Sequence, residues 1–357
     1  MSSAKSESTP SAAADPRVRP STPEDGPGIV ALMRAAGLEP HADPAHLYWK
    51  YWQERADWAG SRSFVLADGR NLLAHAAVVP GALRHGETRA RVVHMIDWAA
   101  RRDAAGAGIR LAKHIQHMSD LVVAVGGSQQ TRKILPLLGY AHCGDVSGFV
   151  RTLSPLAILG RPSPSRWKVL PRMARSLLWA LAAPGADTAD WRVRRIGTQE
   201  IEEVCQGLPA QMRGTAVFER SPALLRHALS CPILPVELYV LERAGRVGAR
   251  LALSYAPGQA RIADMWSACD EPADWRAVIH AAVDRARRQR GLAELIVWSS
   301  DPDLSRILQD CGFHARLTLP IYLKAAAGTA MPHDIMRIQM LDSDAFYLYC
   351  DGNELWA

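Results

Sequence analysis

"KILPLLGYAH" at residues 133–142 and "RILQDCGFHA" at 306–315 share one order: a basic residue, Ile, Leu, three more residues, Gly and an aromatic. Each reads as the end of a helix, a glycine turn and the start of a strand, and two copies in one chain predict a repeated fold. Upstream of each copy stands the same kind of apolar strand, "LVVAVGG" (121–127) and "LIVWSS" (295–300), continuous enough to be buried on both faces.

Further back the parallel continues. "GIRLAKHIQHMSD" carries Leu111, Ile115 and Met118 on one helical face, and "DWRAVIHAAVDRARRQRG" takes its place in the second half. Before these helices come the strands "RVVHMIDWAA" (91–100) and "QARIADMWSA" (259–268). Before them come two hairpins, "FVLADGRNLLAHAAVVPG" (64–81) turning at Asp-Gly and "YVLERAGRVGARLALSYAPG" (239–258) turning at Ala-Gly. Both halves open on a short basic strand and a helix, "VRPSTPEDGPGIVALMRAAG" (18–37) and "WRVRRIGTQEIEEVCQGL" (191–208). Phe64 to Gly139 is 75 positions and Tyr239 to Gly312 is 73, so the internal spacing also repeats.

The order predicts an α/β chain of the mixed-sheet (α+β) kind, with two tandem domains, each a central mixed β-sheet flanked by helices. Their expected limits are 17–153 and 191–325. Residues 1–16, rich in Ser, Ala and Pro, read as a disordered tail without the apolar core of a signal peptide. Residues 154–190 read as a linker holding one short basic amphipathic helix, expected to pack across the domains rather than lie on a membrane. Residues 326–357 alternate in part like a strand returning to the domains, with Asp342 and Asp344 expected in solvent.

Composition narrows the function. Of 357 residues, 48% are hydrophobic and 22% charged, as in ordinary globular proteins. A surplus of 42 basic over 36 acidic residues is scattered rather than striped, which argues against a dedicated nucleic-acid binder. Six dispersed cysteines form no zinc-ligand spacing and no disulfide framework, so neither a metal nor an oxidising compartment is expected. The most apolar run, 177–184, is too short to span a bilayer, and a cytoplasmic location is the expectation.

Between the first half's strand and helix lies "RRDAAGAGIRLAKH" (101–114). A glycine-rich turn that opens a helix presents unpaired backbone amides at the positive end of the helix dipole, a seat for an anion. Arg101 and Arg102 can add charge-assisted contacts. The second half has "CDEPADW" (269–275) at this place: no glycine, three acidic residues, and a proline without an amide.

The element order and this loop resemble the GNAT superfamily of CoA-dependent N-acyltransferases, whose pyrophosphate loop has the pattern Q/R-x-x-G-x-G/A. Here "DAAGAG" (103–108) matches the Gly-x-Gly, with Asp103 in place of Gln or Arg and Arg102 one position early. Gly139-Tyr140 and Gly312-Phe313 match the family's G-[FY] pair, and Ser128 and Asp301 stand in its Asn-like place. The resemblance implies acetyl-CoA or another acyl-CoA as co-substrate and an amine of a small molecule or peptide as acceptor. The pantetheine arm would lie between "MIDWAA" and "LVVAVGG", with Trp98, Ala99 and Ala100 offering backbone amides to the oxyanion. Arg102, Ala105, Gly106, Ala107, Gly108, Ile109 and Ser128 would hold the cofactor's phosphates.

The second half would be a copy without cofactor. Leu135 stands where many members have a tyrosine acid, so that acid is missing or comes from elsewhere. His94 and Asp97 are the candidate bases; three positions apart in a regular strand they face opposite ways, and Asp97 is preferred. In "LYWKYW" (47–52), Tyr48, Trp49 and Trp52, with His46 just before, are candidates to wall the acceptor pocket. Two other readings share the fold: an aminoacyl-tRNA-dependent acyl or peptidyl transferase, and a non-catalytic binding protein.

Overall fold

A computed structural model describes residues 16–69, 71–158, 166–185, 188, 190–206, 215–329 and 335–348. The expected N-terminal tail, apart from Pro16, and residues 349–357 lie outside these. The first half runs β1 (Arg17–Pro20), α1 (Gly26–Ala35), α2 (Pro44–Leu47), β2 (Ser63–Asp68), β3 (Asn71–His85), β4 (Thr88–Ala100), α3 (Ala107–Gln116), β5 (Leu121–Val125), α4 (Gln129–Leu137) and β6 (Ala141–Thr152). After α5 (Arg166–Ala182) the second half runs β7 (Arg192–Ile196), α6 (Ile201–Gln206), β8 (Thr215–Phe218), α7 (Pro222–Leu229), β9 (Val236–Arg243) and β10 (Arg246–Ala256). It continues with β11 (Gln259–Ser267), α8 (Pro272–Arg288), β12 (Glu294–Ser299), α9 (Pro302–Asp310), β13 (His314–Ala325) and β14 (Ile335–Arg337).

The two halves share one sheet because their last strands are exchanged. Its order is β1-β2-β3-β4-β5-β13-β6-β12-β11-β10-β9-β7, so β13 of the second half pairs with β5, and β6 of the first pairs with β12. Neither half closes its sheet alone. Apolar residues of β2–β5 pack on α3 and α4 through Leu111, Ile115, Leu135 and Tyr140, while those of β9–β12 pack on α8 and α9. α5 seats Trp179 on the His314 ring, with centroids 3.9 Å apart, and turns Leu170, Leu177, Leu178 and Leu181 outward.

The C-terminal segment departs from expectation. Asp342 is buried and Asp344 nearly so, because residues 335–348 run between the halves rather than over them. β14 pairs with β8, which in turn pairs with β3. His94 Nδ1 donates to the Asp342 carbonyl at 2.9 Å, and Ser254 and Arg261 donate to the carbonyls of Phe346 and Ala345.

Among the described residues, four histidines are buried where elements meet: His46, His75, His94 and His227. Burial lowers their pKa to about 3, 4, 4 and 2 respectively, with Arg62 and Arg55 adding to the effect at His227. The unfolded imidazoles titrate near 6.5, so as the pH falls below that value the unfolded chain takes up protons that the fold refuses. Asp342, raised by burial to about 6, and Asp344 act in the opposite sense. Stability should therefore fall by roughly 3 kcal/mol per pH unit around pH 5. Urea midpoints at pH 7.5 and pH 5 measure this; an equal or higher midpoint at pH 5 would contradict it.

Candidate active site

β4 and β5 run parallel and pair only from Val92–Leu121 to His94–Val123, yet they continue to Ala100 and Val125. Beyond His94 the edge of β4 that faces β5 is therefore free of strand pairing, and a cavity of about 1260 Å³ opens there. It is bounded by β4, the loop before α3, the segment Gly126–Thr131, the strip Leu38–His41 after α1, and the C-terminal segment.

A bulge in β4 sets the side-chain directions. His75 pairs with Ala99 and Ala77 with Ile96, so Asp97 and Trp98 together face the single Ala76. Asp97 takes a left-handed backbone (φ 52°), rare for a residue with a Cβ. The extra residue breaks the alternation: Trp98 joins the apolar cluster under α3, whereas Asp97 turns to the side of His94. The expectation that His94 and Asp97 face opposite ways fails for this reason: Asp97 accepts from Tyr51 on the sheet face of Ile96 and Ala99, the face that alternation gives His94, and both line the cavity.

The two candidates are chemically different. Burial holds the His94 imidazole neutral, and Nδ1–H bonded to the Asp342 carbonyl leaves Nε2 as the lone-pair nitrogen. Burial alone would raise the Asp97 carboxyl, but the Lys50 ammonium, 2.5 Å away, His75 and the Tyr51 hydroxyl (2.7 Å) hold it below its ordinary value. Asp97 is thus an anion engaged on two sides.

At the cavity mouth Gly106 caps α3 with φ 78°, and nothing crowds its α-carbon. Gly108 serves packing: a Cβ there would lie 3.3 Å from the Trp98 indole nitrogen, which donates to the Gly108 carbonyl. The Ala107 amide is spent on Ala104, while the rest of the first turn carries the unpaired amides of a helix start. Asp103 pairs with Arg101 at 2.6 Å, which neutralises the acid in the loop. Arg102, Ala105, Gly106, Gly108, Ile109 and Ser128 line the cavity with the β4 residues Trp98, Ala99 and Ala100. Leu135 is fully buried.

No family model and no curated protein matches the sequence. Solved structures do. The chain resembles a GCN5-related N-acetyltransferase from Anabaena variabilis (11% identity, 87% of this chain and 72% of that one, TM-score 0.57). It also resembles Saccharomyces cerevisiae N-myristoyltransferase with bound myristoyl-CoA (11%, 90% and 81%, 0.58) and a GCN5-related N-acetyltransferase from Kribbella flavida (13%, 87% and 71%, 0.55). The fold is that of the GNAT-type N-acyltransferases.

On this fold the second half closes its own cleft. The β11–β12 ladder also stops early, at Ile262–Val297, but the C-terminal segment fills the gap. Gln339 exchanges hydrogen bonds with the Met265 backbone (2.8 and 2.9 Å), and Ser300 bridges Met336 and Ile338. Arg337 enters the acidic loop, paired with Asp301 and 3.4 Å from Asp270, above the Trp275 ring. A side-chain cation and main chain thus stand where the first half has amides and open space.

The aromatic candidates divide. His46 lines the cavity; Trp49, 3% exposed, stacks on His227 and donates to its carbonyl; Trp52 bonds Ser21; Tyr48 faces solvent. Trp49, Trp52 and Tyr48 are not among the residues lining the cavity. The residue between the aromatics, Lys50, is the one that reaches it, and sequence reasoning passed over it although a lysine inside "LYWKYW" calls for a buried counter-ion. Asp344 and Tyr347 were missed because only the threading of the C-terminal segment brings them here.

Replacing Lys50 with Met should strand two buried carboxylates and cost about 3–5 kcal/mol. Equilibrium urea unfolding reads this, and adding Asp97→Asn should recover part of the loss. A Lys50→Met protein as stable as wild type would contradict the charge pairing described.

Proposed function

We propose that the protein transfers an acyl group from a CoA thioester to an amine in the cavity of its first half. The observation that carries this reading is the parting of β4 from β5 with a glycine-turned helix start at its mouth. An extended chain can pair with the free edge of β4 as an added strand does, while a diphosphate meets the amides of Gly106, Gly108 and Ile109 at the positive helix end. The open space around Gly106 fits such a group.

In this reading the backbone of Trp98, Ala99 and Ala100 faces the thioester carbonyl, where amides favour the charge that oxygen gains during attack. Arg102, Ala105, Ala107 and Ser128 border the phosphate seat, Ala107 by position rather than by its amide. His94, neutral and with Nε2 available, can carry a proton through water. Asp97 orients Lys50 and Tyr51. His46 and the C-terminal segment wall the acceptor side. The N-terminal half does the chemistry, and the second half, its own cleft filled, holds the wall in place.

Calorimetric titration with acetyl-CoA and CoA tests the seat. Wild type should bind both, and Gly106→Glu, which puts a carboxylate and a Cβ on a left-handed residue, should weaken binding at least about tenfold, equivalent to about 1.4 kcal/mol. Undiminished binding in the variant would place the cofactor elsewhere; no binding by wild type would end the reading.

A further inference from the structure

Lys50 Nζ sits between two carboxylates unequally, 2.5 Å from Asp97 and 3.7 Å from Asp344, with the Tyr51 and Tyr347 ring centroids 5.4 and 5.3 Å away. Asp97 has Lys50 and the Tyr51 hydroxyl at contact distance; Asp344 has a distant share of an ammonium already engaged. Within this cluster two carboxylates share one ammonium; the Arg261 guanidinium, which also lines the cavity, bonds Gln259 and the Ala345 carbonyl. All three line the cavity; the side chains of Lys50 and Asp97 are 7% exposed and that of Asp344 18%, so Asp344 is the most accessible of them. Its carbonyl accepts from the amides of Tyr347 and Leu348, which fixes the turn that carries it. Beside this cluster, His46 lines the same cavity and is 3% exposed, with Nδ1 unpartnered among the described residues.

We propose that Asp344 seats the ammonium of the acceptor and takes its proton, which makes the acceptor an aliphatic amine that arrives as a cation. This rests on the acyltransferase reading and names its substrate class. The Asp344 carboxylate removes one N–H proton and becomes a carboxylic acid. The freed nitrogen pair forms the C–N bond at the thioester carbonyl carbon as the C–S bond breaks. The thiolate leaves with the bonding pair and takes the second nitrogen proton, and Asp344 returns its proton to water in the cavity.

The surroundings suit this task. Burial raises the Asp344 carboxyl above its ordinary value; Lys50 offsets part of that and Asp97 adds to it, so two neighbouring acids are driven apart. Of the buried groups beside it, Tyr51 and Tyr347 are pushed well up by burial and His46 is lowered to about 3, while Glu39, Arg261 and His41, whose ring lies 5.2 Å from that of His46, line the same cavity.

The test uses the full chain loaded with CoA and two probes of one shape, benzylamine and benzyl alcohol. Calorimetry should show the amine binding at least about tenfold tighter than the alcohol in wild type, a preference that Asp344→Asn abolishes while CoA affinity stays unchanged. With acetyl-CoA and benzylamine, thiol release by Asp344→Asn should fall about 100-fold and lose the rise with pH that wild type shows. Asp344→Asn leaves Lys50 and Asp97 as a balanced pair, and its melting temperature verifies folding; Asp344→Glu should restore part of the preference. Equal binding of the two probes by wild type, failure of the amine to bind, or an undiminished preference in Asp344→Asn would overturn the proposal. If wild type binds no CoA, the acyltransferase reading fails, and the probe titration on the free protein still decides the ammonium seat.

Discussion

Two parallel strands that pair for three residues and then part are the constraint on which the rest of the structure depends. A strand edge inside a protein cannot leave its amides and carbonyls without partners, because each buried unpaired group costs about as much as the hydrogen bond it lacks. Every cleft between β4 and β5, or between β11 and β12, must therefore be filled by something that offers main-chain partners or water. The two halves meet this demand differently. In the second, residues 336–339 bond to Met265 and Ser300 and act as a permanent guest. In the first the space is kept open, rimmed by small residues and a helix start.

This difference gives the second half a role. Its cleft grips the C-terminal segment through Arg337 and Gln339, while Arg220, in contact with both Asp264 and Asp342, carries the grip forward to residue 342. A few residues further on the segment reaches the first cavity with Met340, Ser343, Asp344 and Tyr347. The exchange of β6 and β13 fixes the halves relative to one another, so a wall anchored in one can be positioned for the other. The second cleft is a socket for the protein's own chain.

Charge distribution follows the same division. The cavity's mouth carries Arg101, Arg102 and amides, and Arg101 offsets Asp103, where an uncompensated acid would oppose an anion. The opposite end carries Lys50 between two carboxylates. Arginines and helix-start amides thus gather at one end and two carboxylates at the other, with the β4 bulge between them. Because Asp97 occupies the bulge, a single backbone irregularity turns an acid toward Lys50 and frees Trp98 to lock the loop through Gly108.

Much of the architecture was legible along the chain: hairpins, helix faces and the Gly-aromatic endings are local patterns, because turn chemistry and amphipathic period act over a few residues. The Gly-x-Gly loop was legible too, since left-handed backbone at Gly106 is a local demand. The exchange of β6 with β13 was not, because strand backbones pair with either partner and no local pattern in the two strands selects one. Nor was the bulge, as nothing in "HMIDWAA" announces an extra residue. Trp49 and Trp52 show the limit of composition, for aromatics near a site pack a core as readily as they wall a pocket. By itself the sequence determined two similar halves and a glycine-turned helix start in one of them. Only the tertiary structure decided that the C-terminal segment fills one cleft and completes the other, and so buries Asp342 and brings Asp344 to Lys50, since these contacts join residues nearly 300 positions apart through strand pairing that no local pattern encodes.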